Sequence, residues 1–145
     1  MATQVAAAVI ALLTSGCPGD RPTDETPDGA LRLFLEAMDQ GDRNGAYELL
    51  APETRHELER RAAEASRQAH HQLEPAEMIA VERYAVRWEI SRLTPAEHGD
   101  RAVVTVTRSE ESQRAEVELR REDGHWRVIL PLGDAPPRAE SRPGS

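Results

Sequence analysis

Lysine is missing from this sequence, so its 18 basic residues are all arginine, and 26 acidic residues outnumber them to give a formal net charge of -8. The lack of lysine beside abundant Arg and Ala is what codon bias in a GC-rich genome produces, and it excludes nothing functional. The excess of acid does exclude something, because such a surface repels phosphate backbones and leaves nucleic acid out as a partner. Cysteine occurs once, as Cys17, so there is neither an internal disulfide nor a zinc site of the paired-cysteine kind. Aromatic residues are scarce, with one Phe, two Tyr and two Trp. No apolar run approaches the ~20 residues that span a bilayer as a helix. A chain of 145 residues is one domain of ordinary size.

What stands at the N-terminus reads as an address. Val5 to Leu13 is an unbroken apolar run of nine residues, the length of a signal-peptide core. Behind it, Thr14-Ser15-Gly16-Cys17 brings small residues up to the single cysteine. This resembles the lipobox of bacterial lipoproteins, in which the peptide is cut before the cysteine and lipid is attached to its sulfur. The resemblance implies lipid on Cys17, the membrane as partner through that lipid, and a place in the cell envelope facing the periplasm or exterior. Two alternatives stand beside it. Thr14 and Gly16 also satisfy the small-x-small rule of ordinary secretory cleavage, which leaves Cys17 as an N-terminal thiol, and the apolar segment could be retained. Pro18 to Glu25 (PGDRPTDE) is Pro-rich and charged, the composition of a flexible tether, and Asp134 to Ser145 (DAPPRAESRPGS) is a tail of the same kind. The chain thus divides into signal peptide (1–16), attachment cysteine and tether (17–25), folded domain (26–132) and tail (133–145).

The domain opens with helical periodicity. Thr26-Pro27 is an N-cap with Pro at the first helical position, after which Leu31, Phe34, Leu35 and Met38 share a face until Gly41. Asp42 caps a short second helix that buries Ala46, Tyr47 and Leu50. Pro52 begins a third, with a stripe of Leu58, Ala62, Ala65, Ala69 and Leu73. The period then changes to two. Tyr84, Val86, Trp88 and Ile90 form one strand, Ala102, Val104 and Val106 a second after a turn at His98-Gly99-Asp100, Ala115, Val117 and Leu119 a third, and Trp126, Val128 and Leu130 a fourth after a turn at Glu122-Asp123-Gly124. Three helices followed by four strands, mainly antiparallel, make an α+β domain.

Two stretches carry a resemblance. Asp39-Gln40-Gly41-Asp42-Arg43-Asn44-Gly45-Ala46-Tyr47-Glu48-Leu49-Leu50 and Arg121-Glu122-Asp123-Gly124-His125-Trp126-Arg127-Val128 resemble the nuclear transport factor 2-like domains of small bacterial lipoproteins. The resemblance implies helices packed on a curved sheet to form a cone. The same superfamily includes isomerases and cyclases that use a carboxylate or histidine inside the cone as general base, a role that burial favours by raising a carboxylate's pKa. On the strand phasing above, no acid points inward, and Glu89, Glu116 and Glu118 point out. The expectation is therefore a non-catalytic binding or assembly domain without cofactor or metal. An isomerase- or cyclase-type enzyme and a dimerising interaction module are the alternatives.

Tyr84, Trp88 and Trp126 are the candidates to line a ligand cavity or to fill it, and the partner is an apolar small ligand or a second copy bound through the sheet. His56, His70, His71, His98 and His125 lack the spacing of a metal site and read as surface residues. Cysteine 17 generates the first testable outcome. Cys17→Ser is expected to block precursor processing and move the protein from the membrane to the soluble fraction; soluble wild-type protein carrying no fatty acid would contradict lipid attachment.

Overall fold

The computed structural model describes residues 21–79, 90–108 and 114–133. Among these are three helices, α1 (Pro27–Asp39), α2 (Arg43–Glu48) and α3 (Pro52–Ala69), then a 3₁₀ turn at Pro75–Met78 and four strands, β1 (Ile90–His98), β2 (Arg101–Arg108), β3 (Arg114–Glu122) and β4 (His125–Ile129). The strands form one antiparallel sheet in the order β1-β2-β3-β4. The architecture is α+β, with helices against one face of an open sheet.

The helix boundaries follow from their capping chemistry. Thr26 Oγ1 accepts from the Gly29 amide at 3.2 Å, satisfying one of the orphan donors at the start of α1. Gly41 ends the helix at φ 74°. Its amide bonds to Met38 O at 3.2 Å and that of Asp42 to Ala37 O at 2.8 Å, the two bonds of a Schellman stop. Asp42 then caps α2 at once, its Oδ1 accepting from the Gly45 amide at 2.9 Å. One Gly-Asp pair thus closes one helix and opens the next. Helix α1 buries Ala30, Leu31, Phe34 and Met38, with Leu35 half-buried, and α2 buries Ala46. Tyr47 is half-buried and donates its hydroxyl to Glu59 Oε1 at 3.0 Å. The stripe expected on α3 holds only in its first half. Leu58 and Ala62 are buried, Ala65 and Leu73 are half-buried and Ala69 is exposed, because the last turns of α3 run beyond the core.

The sheet follows the expected inward phase. Ala102, Val104, Val106, Leu119, Trp126, Val128 and Leu130 are buried, whereas Glu116 and Glu118 are exposed. The registers Ala102↔Leu119, Val104↔Val117, Val106↔Ala115 and Leu119↔Val128 put these apolar side chains on one face. Both tight turns fall where the sequence put them, with Gly99 at φ 67° and with Asp123 and Gly124 at φ 50° and 84°, the positive values that two-residue hairpins need. The first strand departs from expectation. It extends through Ser91–His98, a stretch without alternation that contains Pro95, and it is mostly exposed. Proline is tolerated there because β1 is the outer strand of the described sheet and one side of it makes no ladder bonds. Tyr84, Val86 and Trp88 lie outside the described residues, as do Glu89 and Cys17.

Strand β4 is bound along its other edge. The amide of Trp126 donates to Asp24 O at 2.7 Å, that of Val128 to Leu49 O at 2.8 Å and that of Leu130 to Thr54 Oγ1 at 3.2 Å, while Ala51 N returns a bond to Val128 O at 2.8 Å. Three separate parts of the helical layer and its leader therefore meet one strand. Asp24, at the end of the segment read as tether, adds side-chain bonds: Oδ2 accepts from Arg127 Nη1 at 2.6 Å and Oδ1 faces His125 Nδ1 at 2.9 Å. Gly29 admits this segment against α1, since a Cβ there would lie 2.1 Å from Thr23 O.

The Arg127 guanidinium, with His125 beside it, holds the Asp24 carboxyl below its ordinary value of 3.8. A carboxylate whose pKa is lowered by folding stabilises the fold above its unfolded value, and that stabilisation is lost as pH falls through the folded one. Wild-type protein is therefore expected to lose stability as pH drops below about 3.8. Asp24→Asn should cost ~1–2 kcal/mol at neutral pH and flatten this acid limb, as measured by denaturant melts across pH. Equal melts for the two proteins at neutral pH would contradict the clasp.

Candidate functional site

Helix α1 crosses the inner sheet face at a point where that face is made of small side chains. Val106 of β2 stands opposite Ala115 of β3, and Val117 and Val128 lie beside them. Such residues do not fill the space beneath Leu31, Phe34 and Leu35, and a cavity of about 350 Å³ remains between helix and sheet. Its far wall is completed by Leu130 and Pro131, just beyond β4. Leu31, Phe34, Val106 and Val128 are buried and Leu35, Ala115 and Val117 half-buried, so the cavity has a closed floor and an accessible rim.

The walls are apolar. Glu116, Glu118 and Ile129 also contribute to them, but these positions alternate with Ala115, Val117 and Val128, so their side chains belong to the outer face. There Glu118 Oε2 lies 3.9 Å from Arg101 Nη1. Among the described residues no titratable side chain is aimed into the cavity from the inner strand positions that line it. One acid does share the inner face. Glu97 pairs with Ala102, but it sits next to the Gly99 turn, is exposed, and is not part of the cavity wall. The described walls can exclude water and hold an apolar molecule, and among the described residues they present neither nucleophile nor general base.

The other polar candidates have structural roles. Asp42 is the cap of α2, and Asp39 and Glu48 are exposed. Glu57 pairs with Arg60 and Arg61, which draw its carboxyl down to about 2. Arg61 also donates to Leu132 O at 2.8 Å and so holds the chain beyond β4 against α3. Burial, followed by the bond to Glu59, raises the Tyr47 hydroxyl above 10. His56, His70, His71 and His98 are exposed, and His70 ends α3 in the left-handed conformation at φ 55°. Among the described residues, no group of three or more His, Cys, Asp or Glu could hold a metal ion.

Of the three aromatic candidates, only Trp126 lies in the described residues. It is 1% exposed, belongs to the core, carries the Arg121 guanidinium 5.9 Å from its ring centre, and does not line the cavity. The lining comes instead from Leu31, Phe34 and Leu35. The sequence showed them as a helix face, but nothing in it marked the smallness of the residues they would oppose.

Trp126→Ala is expected to destabilise the domain by ~3–5 kcal/mol, the cost of removing a large buried side chain. Glu116→Ala, on the opposite face, should change stability by less than ~0.5 kcal/mol. Chemical denaturation of both variants checks the register, and a costlier Glu116→Ala would reverse it.

Comparison of the chain with family models, with curated proteins and with solved structures finds no match.

Proposed function

We propose that this protein is an exported nuclear transport factor 2-like domain, anchored to the cell envelope by lipid on Cys17, that binds a neutral apolar small molecule between α1 and the sheet without transforming it. The observation that carries this reading is the apolar-walled cavity of about 350 Å³. That volume falls in the range of small-molecule sites, ~300–1,000 Å³, and is about twice that of an engineered apolar cavity that takes up benzene. Two fused rings or a medium-length alkyl chain fit such a space. A neutral ligand is favoured over an anion because, among the described residues, no cationic one contributes to the wall and the charged ones that do, Glu116 and Glu118, are acidic. Catalysis is disfavoured because, among the described residues, no acid or base is aimed inward from the lining strands.

Self-association through the outer sheet face has less support. A row of His98, Arg101, Arg120 and Arg127 crosses that face from β1 to β4. Its arginines pair with Glu118, Glu53 and Asp24. Interface cores are depleted in charge of this kind.

N-phenyl-1-naphthylamine, a neutral apolar fluorophore, provides the test. Folded wild-type protein should bind it saturably at one site, and Val117→Phe, which fills the half-buried wall, should weaken binding at least several-fold while retaining the wild-type circular dichroism spectrum. Failure of the folded protein to bind, or binding indifferent to Val117→Phe, would overturn the proposal.

A further inference from the structure

Strands β3 and β4 stay paired only as far as Glu118↔Ile129. The next rung would set Glu116 opposite Pro131, which has no N–H to give, and there the chain turns away. Leu132 N closes a tight turn on Leu130 O at 2.8 Å, Leu130 N donates to Thr54 Oγ1 at 3.2 Å, and Leu132 O accepts from Arg61 Nη2 at 2.8 Å. The segment beyond β4 is thus held by α3 and not by β3. The cavity reaches the gap that this departure leaves, since Glu116 and Pro131 both line it.

The direction of the β3 main chain at the gap follows from its period of two. Arg121 N donates to Asp100 O, on the β2 side, so the main chain of Val117 and Ala115 also faces β2 and that of Glu118 and Glu116 faces β4. For Glu118 that direction meets Ile129. For Glu116 it meets, among the described residues, no hydrogen-bond partner. The Glu116 carboxylate belongs to the outer face, so this residue reaches the cavity through its main chain. An apolar-walled cavity therefore carries an unpaired amide at its rim.

We propose that the ligand of this cavity is a neutral molecule whose apolar body carries one hydrogen-bond acceptor, an ester or amide carbonyl, and that the Glu116 N–H donates to it. The proposal rests on the cavity binding a small molecule, as put forward above. A ligand that fills the cavity displaces water from this amide, and an N–H covered without an acceptor keeps its full desolvation cost. The amide, more than the carbonyl beside it, decides the matching group, because proteins leave carbonyls under-satisfied more readily than N–H groups. A carboxylate is the wrong acceptor here, since Glu116 and Glu118 would repel it. A peptide strand has little to pair with, because β3 begins at Arg114 and beyond the last rung only Arg114 and Glu116 face the gap. One such polar contact gives the ligand a single orientation, with its apolar body under α1 and its carbonyl at the rim.

The test compares methyl 2-naphthoate with 2-(butan-2-yl)naphthalene, a hydrocarbon of the same skeleton, each displacing N-phenyl-1-naphthylamine from the folded full chain. Glu116→Pro removes the donor. It breaks no bond to β2, because Thr105↔Glu116 lies between the rungs that carry those bonds, and proline is accepted where the N–H faces off the ladder. In the folded variant the ester should lose about three- to tenfold in affinity, the worth of one hydrogen bond, while the hydrocarbon should bind both proteins alike. A second measurement needs no variant: in the wild-type chain the Glu116 amide should exchange with solvent more slowly with the ester bound than with the hydrocarbon bound. Equal losses for the two ligands in the folded variant, no loss for either, or equal protection of the wild-type amide would overturn the acceptor while leaving the cavity as a binding site. A wild-type chain that binds none of the three compounds would instead overturn the binding function and this inference with it.

Discussion

The free edge of β4 is the constraint on which the rest of the structure depends. Trp126, Val128 and Leu130 bury their side chains on the inner face, while their amides point away from β3 to a side where the described sheet has no further strand. A buried amide without a partner costs ~1–3 kcal/mol, so three of them would take much of the stability of a domain this size. Asp24 O, Leu49 O and Thr54 Oγ1 supply the three acceptors. In doing so they fix the leader, the α2–α3 junction and the first turn of α3 relative to the sheet. Thr54, the one buried polar side chain among the described residues, is thereby accounted for.

The cavity follows from this arrangement. With β4 held by the helical layer, the distance between α1 and the inner face is set by the shared core, to which both Phe34 and Trp126 belong. Ala115 and the valines facing α1 are too small to close the gap at that distance. The turn end of β4 is filled by the indole of Trp126 and tied by Asp24, and the far end is left apolar and open. A chain with so few aromatic residues has used one to plug the end where its leader attaches.

Much of the fold was legible because its signals are local. The Thr26 and Asp42 caps, the Gly41 stop, both tight turns and the alternation in β2, β3 and β4 each lie within a few residues of sequence and are set by backbone sterics and by which face is wet. The rest depends on partners far along the chain. β1 reaches through Pro95 to His98 because β2 provides a ladder for it, a fact that Ser91–His98 does not encode in its own alternation. Asp24 belongs to a Pro-rich, charged stretch whose composition signals only a tether; its partners lie about a hundred residues on. The cavity was the least legible feature, because an empty volume depends on what faces what, and Ala115 opposite Val106 is visible only once the register is known.

Native-state hydrogen exchange at the β4 edge tests the central claim most directly. If the edge is closed by the leader and the helical layer, the amides of Trp126, Val128 and Leu130 should exchange only through global or near-global unfolding, as slowly as the slowest amides of the central ladder between β2 and β3. Exchange at those three amides as fast as at the outer edge of β1 would show that β4 is open, and the account of how this sheet holds its helices and its leader would fail.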